Sequence, residues 1–115
     1  MAQRDVVTQI QYGMGATCQA TLPESQVSGR SVRELIRTVA TIDQPNEPAR
    51  RTARVLSDVI TSGRSVDVEF SEGARDQKSR KEQFELDEIV FVDQEQQAEA
   101  TKTLNIHVSE AYIGG

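Results

Sequence analysis

Acid–base, nucleophilic or metal chemistry in this chain would have to start from one histidine, His107, and one cysteine, Cys18. A lone imidazole with no second His or Cys nearby cannot make a zinc site of ordinary composition. As a general base it would need a nucleophile and an orienting group, and no motif supplies either. Cys18 shares a strand register with Ala16, Ala20 and Leu22, which suits a small buried hydrophobe better than a reactive thiol. Gly13-Met14-Gly15-Ala16 and Ser28-Gly29-Arg30-Ser31 are glycine-containing turns, but neither leads into the lysine of a phosphate-binding loop. Arg30, Arg33 and Arg37 could line one helix face and Arg50, Arg51 and Arg54 another. Their default reading is a solvated surface, with an acidic patch on a partner protein as the functional alternative. No carboxylate pair stands out as an acid–base couple. The expectation is a protein that is not an enzyme, with no catalytic residue, no metal and no cofactor.

One short segment does carry a chemical suggestion: Ala111-Tyr112-Ile113-Gly114-Gly115, which follows the last strand-like run. At ~7% glycine, two terminal glycines arise by chance in roughly one chain in 200. Having no side chains, Gly114-Gly115 can lie extended in a narrow channel. An adenylating enzyme could thread such a tail and activate the Gly115 carboxylate, with Tyr112 and Ile113 as the residues it recognises on the way.

Composition sets the frame for these candidates. A chain of 115 residues fits a single domain, 1–115, with one modest core. Its net charge of −5 repels phosphate backbones and anionic lipid, so neither nucleic acid nor a membrane is an expected partner. No apolar run approaches the ~20 residues of a membrane span, and Met1-Ala2-Gln3-Arg4-Asp5 lacks a signal-peptide core. One cysteine makes no internal disulfide, which fits a reducing, cytoplasmic location.

The elements that would position these residues are legible as periodicities. Val6, Thr8, Ile10 and Tyr12 alternate with polar neighbours, as do Ala16, Cys18, Ala20 and Leu22 beyond Gly13-Met14-Gly15. Two such runs around a glycine turn predict a β-hairpin, which Pro23 ends. Ser31-Val32-Arg33-Glu34 is a capping box ahead of a helical stripe of Val32, Leu35, Ile36, Val39 and Ile42. Pro48 suits the first turn of a second helix with the stripe Ala53, Val55, Leu56, Val59 and Ile60, and Gly63 suits its left-handed cap. Val66, Val68 and Phe70 predict a third strand. A polar loop follows at 71–82, then a strand over Phe84–Val92 that is central or bulged. A last strand runs over Lys102–Ser109, with a flexible tail at 110–115. The fold class is α+β: a two-layer mixed sheet with one or two helices on one face, in the order β-β-α-α-β-β-β.

A hairpin at Val6–Leu22, a capped helix at Ser31–Ile42, a last strand at Lys102–Ser109 and a Gly114-Gly115 end together resemble the ubiquitin-like β-grasp family. The resemblance implies a protein modifier or carrier whose C-terminal glycine is activated by a partner enzyme and joined to a protein acceptor. Three departures stand out: the second helix at 43–63, the long polar stretch at 71–82, and Ala111-Tyr112-Ile113 in place of basic residues before the glycines. They point to a divergent, bacterial-type modifier with its own activating enzyme. A reading from another class stays open beside it. Abundant strands, no active site and a Gln-rich acidic surface also suit a non-enzymatic assembly subunit, such as a small viral or multimeric coat or tail component that forms a homo-oligomer.

Overall fold

The computed structural model describes residues 4–72, 80–92 and 102–110. Strand β1 (Asp5–Tyr12) pairs antiparallel with β2 (Thr17–Pro23), with Val6 opposite Leu22 and Ile10 opposite Cys18. Gly13 takes φ +56° at the turn, a backbone conformation that side chains disfavour. A 3-10 turn at Glu24–Gln26 and a two-residue strand β3 (Arg30–Ser31) lead into α1 (Val32–Thr41), which is followed by α2 (Glu47–Ser62). The remaining strands are β4 (Val66–Glu72), β5 (Arg80–Phe84), β6 (Ile89–Val90) and β7 (Lys102–Glu110). Of the seven strands among the described residues, five form one mixed sheet in the order β2-β1-β7-β4-β5, while β3 and β6 make a separate two-residue pairing. Strand β7 sits in the middle, parallel to β1 and antiparallel to β4. Parallel neighbours need a long crossover, and the whole chain between β1 and β7 supplies it.

The helices pack their apolar stripes into the core that this sheet lines. From α1 come Val32, Leu35, Ile36 and Val39, and from α2 come Ala53, Leu56, Val59 and Ile60. They meet Val6 and Ile10 of β1, Cys18, Ala20 and Leu22 of β2, Val68 and Phe70 of β4, and Leu104, Ile106 and Val108 of β7. Each such side chain contributes about 1.5–3 kcal/mol on leaving water, so this layer contact dominates the stability. Ile42, expected at the end of the α1 stripe, is instead the C-cap residue and is partly exposed. Gly63 closes α2 in the left-handed conformation, φ +77°, as its position after the stripe indicated.

The stretch Phe84–Val92 is not one strand. Phe84 ends β5 and stacks on Phe70 with ring centroids 5.0 Å apart. Beyond it the chain turns away from the main sheet and runs along residues 28–33. There Gly29 N–H donates to Val90 C=O (2.7 Å), Val32 N–H to Glu88 C=O (3.0 Å) and Arg33 N–H to Leu86 C=O (2.8 Å). The doubled apolar run is an alternation in disguise: Val90 and Val92 are buried, whereas Ile89 and Phe91 face outward. β4 and β5 also reach further into the polar stretch 71–82 than its composition indicated, since Ser71 pairs with Lys81 and Glu72 with Arg80.

Those carbonyls complete the start of α1. The first N–H groups of a helix have no partner within it, and here two of them are taken by a segment more than fifty residues downstream. Ser31 takes the next, its Oγ accepting the Glu34 N–H and donating to the Glu34 carboxylate (3.2 Å). Arg33, for which the sequence suggests a solvated surface, instead bridges three parts of the fold. Its Nη1 donates to the Ile60 carbonyl near the end of α2 and its Nε to Asp87 (3.0 Å).

Candidate functional site

The tail singled out in the sequence, Tyr112, Ile113, Gly114 and Gly115, lies outside the described residues. What the structure describes is the end of the strand that precedes it in sequence. Strand β7 emerges beside the β1–β2 turn, and the two are fastened together. Gly13 N–H donates to Val108 C=O (2.8 Å), and the His107 ring nitrogen Nε2 lies 2.9 Å from the Gly13 carbonyl, to which it donates. Gln11 steadies the same turn by donating to Gly15 C=O (2.9 Å). Beyond Val108, the Glu110 carboxylate meets Arg64 (3.1 Å) just past α2. Glu110 also accepts from the Tyr12 hydroxyl. Burial first, and that hydrogen bond with the nearby negative charge second, hold the Tyr12 hydroxyl above its ordinary pKa. The end of β7 is thus hydrogen-bonded to the β1–β2 turn, with the half-buried His107 as one of the donors.

The other candidates resolve into structural roles. Cys18 is fully buried and its thiol donates to the Ala49 carbonyl (3.2 Å), while burial pushes its pKa up. A protonated, enclosed sulfur is the opposite of an activated nucleophile. Arg50 and Arg54 of α2 both reach Glu47, at 3.2 and 2.9 Å. Those contacts, with Arg54 the larger contributor, hold the Glu47 carboxylate below its usual pKa. Arg30 lies within 3.7 Å of Glu34 on the next turn. These six arginines are therefore not one cationic surface, since most are spent on neighbours in the same helix layer.

An open cleft of about 530 Å³ lies between the end of α1 and the flank of α2, lined among others by Ile42, Asp43, Arg50, Arg54 and Asp58. Its charges alternate in sign, and both arginines are already engaged. Among the described residues no three His, Cys, Asp or Glu side chains are grouped to hold a metal ion. No helix among them is long and apolar enough to cross a membrane.

Sequence reasoning missed Gln44. It lies between α1 and α2, just before Pro45, is 2% exposed and its carboxamide is fully engaged. Oε1 accepts from Gln19 N–H (3.0 Å), and Nε2 lies within 3.3 Å of Gln19 C=O, 3.3 Å of Val39 C=O and 3.1 Å of Ile42 C=O. No local pattern marks a glutamine for this, because its partner strand lies 25 residues away.

Comparison with protein-family models, with curated proteins and with solved structures gives no match to this chain.

Proposed function

We infer that this chain is a ubiquitin-like modifier or carrier. Its Gly115 carboxylate, once Gly115 is the last residue, is adenylated by a partner enzyme with ATP as pyrophosphate leaves. It then passes to a partner's cysteine thioester as AMP leaves, and is joined to an amine on a protein acceptor as the thiol leaves. The observation that carries the reading is the placement of β7. A hairpin, a helix packed across it and a final strand inserted parallel to β1 in the sheet order β2-β1-β7-β4-β5 is how a β-grasp domain is wound. That order puts the strand preceding Gly114-Gly115 in the centre of the sheet. A central strand held on both sides, with its end fastened to Gly13 and Arg64, is a firm handle from which a narrow tail can be presented. In this reading all catalysis lies in partners. Tyr112 and Ile113 are the side chains an activating enzyme reads before the glycines.

The test is to express an N-terminally tagged chain in its native host and search its adducts by mass spectrometry. Lys102 is the last lysine or arginine, so trypsin leaves the Thr103–Gly115 remnant on the acceptor lysine. Finding it in the wild type, and losing it when Gly114-Gly115 is deleted, supports the reading. Adducts that survive the deletion, or none in either strain, overturn it.

A further inference from the structure

The sheet has two outer edges, and they are protected differently. The β5 edge carries Arg80, Lys81 and Glu82 in sequence, and charge on an edge strand discourages pairing with another chain. The β2 edge, Thr17–Pro23, has no charged residue at all. Glu24 N–H donates to Arg4 C=O, so residues in step with Glu24 turn their backbone groups toward β1. Thr17, Gln19 and Thr21, out of step with it, turn theirs outward, and all three are exposed. Gln19 is covered, because the Gln44 carboxamide both accepts from its N–H and donates to its C=O. That pair of bonds is what one residue of an added strand would make. Among the described residues the backbone groups of Thr17 and Thr21 have no such cover.

We propose that Gln44 guards the β2 edge, and that without it two copies of this chain pair antiparallel through β2. A two-fold axis at Gln19 sets Thr17 of one copy opposite Thr21 of the other, so the same residues serve both sides of a closed, isologous contact. The strand is uncharged, so no like-charge repulsion opposes this register. Gln44, itself buried, stands on the axis, and its bonds to Gln19, Val39 and Ile42 hold its loop against the centre of the ladder. The proposal uses neither Gly114 nor Gly115 and does not rest on the reading above.

The experiment compares wild type with Gln44→Ala by light scattering and amide hydrogen exchange across a concentration series. The wild type is expected at the mass of one chain, 12.7 kDa, with the Gln19 amide slow to exchange and the Thr17 and Thr21 amides fast. Gln44→Ala is expected to double in mass as concentration rises, with Thr17 and Thr21 becoming protected. Adding Thr21→Pro, which removes an outward N–H that β1 does not use, should restore the single-chain mass. A folded Gln44→Ala protein that stays monomeric with fast Thr17 and Thr21 amides overturns the proposal. So does association that survives Thr21→Pro. If Gln44→Ala does not fold, the wild-type exchange decides: a fast Gln19 amide, or protected Thr17 and Thr21 amides, overturns it.

Discussion

Thr8 offers the sharpest test of the packing described above. It lies mid-strand in β1, opposite Ala20 on one side and Leu104 on the other, and is 0% exposed. Among the described residues its Oγ1 has no hydrogen-bond partner. A buried hydroxyl left unsatisfied costs about 1–3 kcal/mol in desolvation. Valine has nearly the same shape and places a methyl group where the hydroxyl stood. Thr8→Val should therefore stabilise the fold, against the usual direction for a core substitution. With a urea slope of roughly 1.5 kcal/mol/M for a chain of this size, the denaturation midpoint should rise by about 1 M at unchanged slope. Thr8→Ser keeps the hydroxyl and deletes the methyl group, so it should lower stability by about 1 kcal/mol. A Thr8→Val midpoint at or below the wild-type value would show that the hydroxyl has a partner, and the reasoning would fail.

Other consequences follow from contacts around α1 and α2. Arg33→Met, which keeps the stem and removes the donors to Ile60 and Asp87, should lose about 1–3 kcal/mol in urea or heat. Asp87→Ala, which breaks only the exposed side of that bridge, should lose less than about 1 kcal/mol; equal losses would show that the Ile60 contact is idle. Gly63→Ala puts a side chain at φ +77° and should lower stability by about 1 kcal/mol, measurable as a fall of a few degrees in Tm. Cys18 should resist thiol reagents in native buffer and react once the chain is unfolded. Its folded pKa lies above the unfolded value of about 8.5. The stability its protonated thiol contributes is therefore whole below that pH and drains away as pH rises through the folded value. The stability gap between wild type and Cys18→Ala should narrow correspondingly above pH 8.5, and a gap independent of pH would contradict the assignment.

What could be read from sequence was whatever is encoded locally. The hairpin announced itself by alternation around Gly13-Met14-Gly15, and both helices by a cap residue, an apolar stripe and a stop. Ser31 binding the Glu34 N–H and Gly63 in the left-handed conformation are contacts between near neighbours, so a short window contains them. The failures share the opposite property. Residues 84–92 look like one strand because Ile89-Val90-Phe91-Val92 is apolar, but their course is set by residues 28–33, which no window around them includes. Arg33 and Gln44 look like surface residues because their burial comes from carbonyls on other elements. The proposed tail was legible only as composition, and its chemistry belongs to the enzyme that would read it.

The central position of β7 also fixes an order of events during synthesis. Its partners Val6–Tyr12 leave the ribosome long before Lys102–Val108, and until those residues emerge β1 and β4 have no strand between them. The nascent chain can make its hairpin and sketch its two helices, but the sheet stays split into β2-β1 and β4-β5. Contacts between such distant segments slow folding, and a split sheet leaves apolar strand edges open in the meantime. A chain stalled before residue 102 would therefore expose its hydrophobic interior to chaperones and proteases. Closure of the core thus waits on β7, and every copy passes through a stage in which its two half-sheets are unjoined.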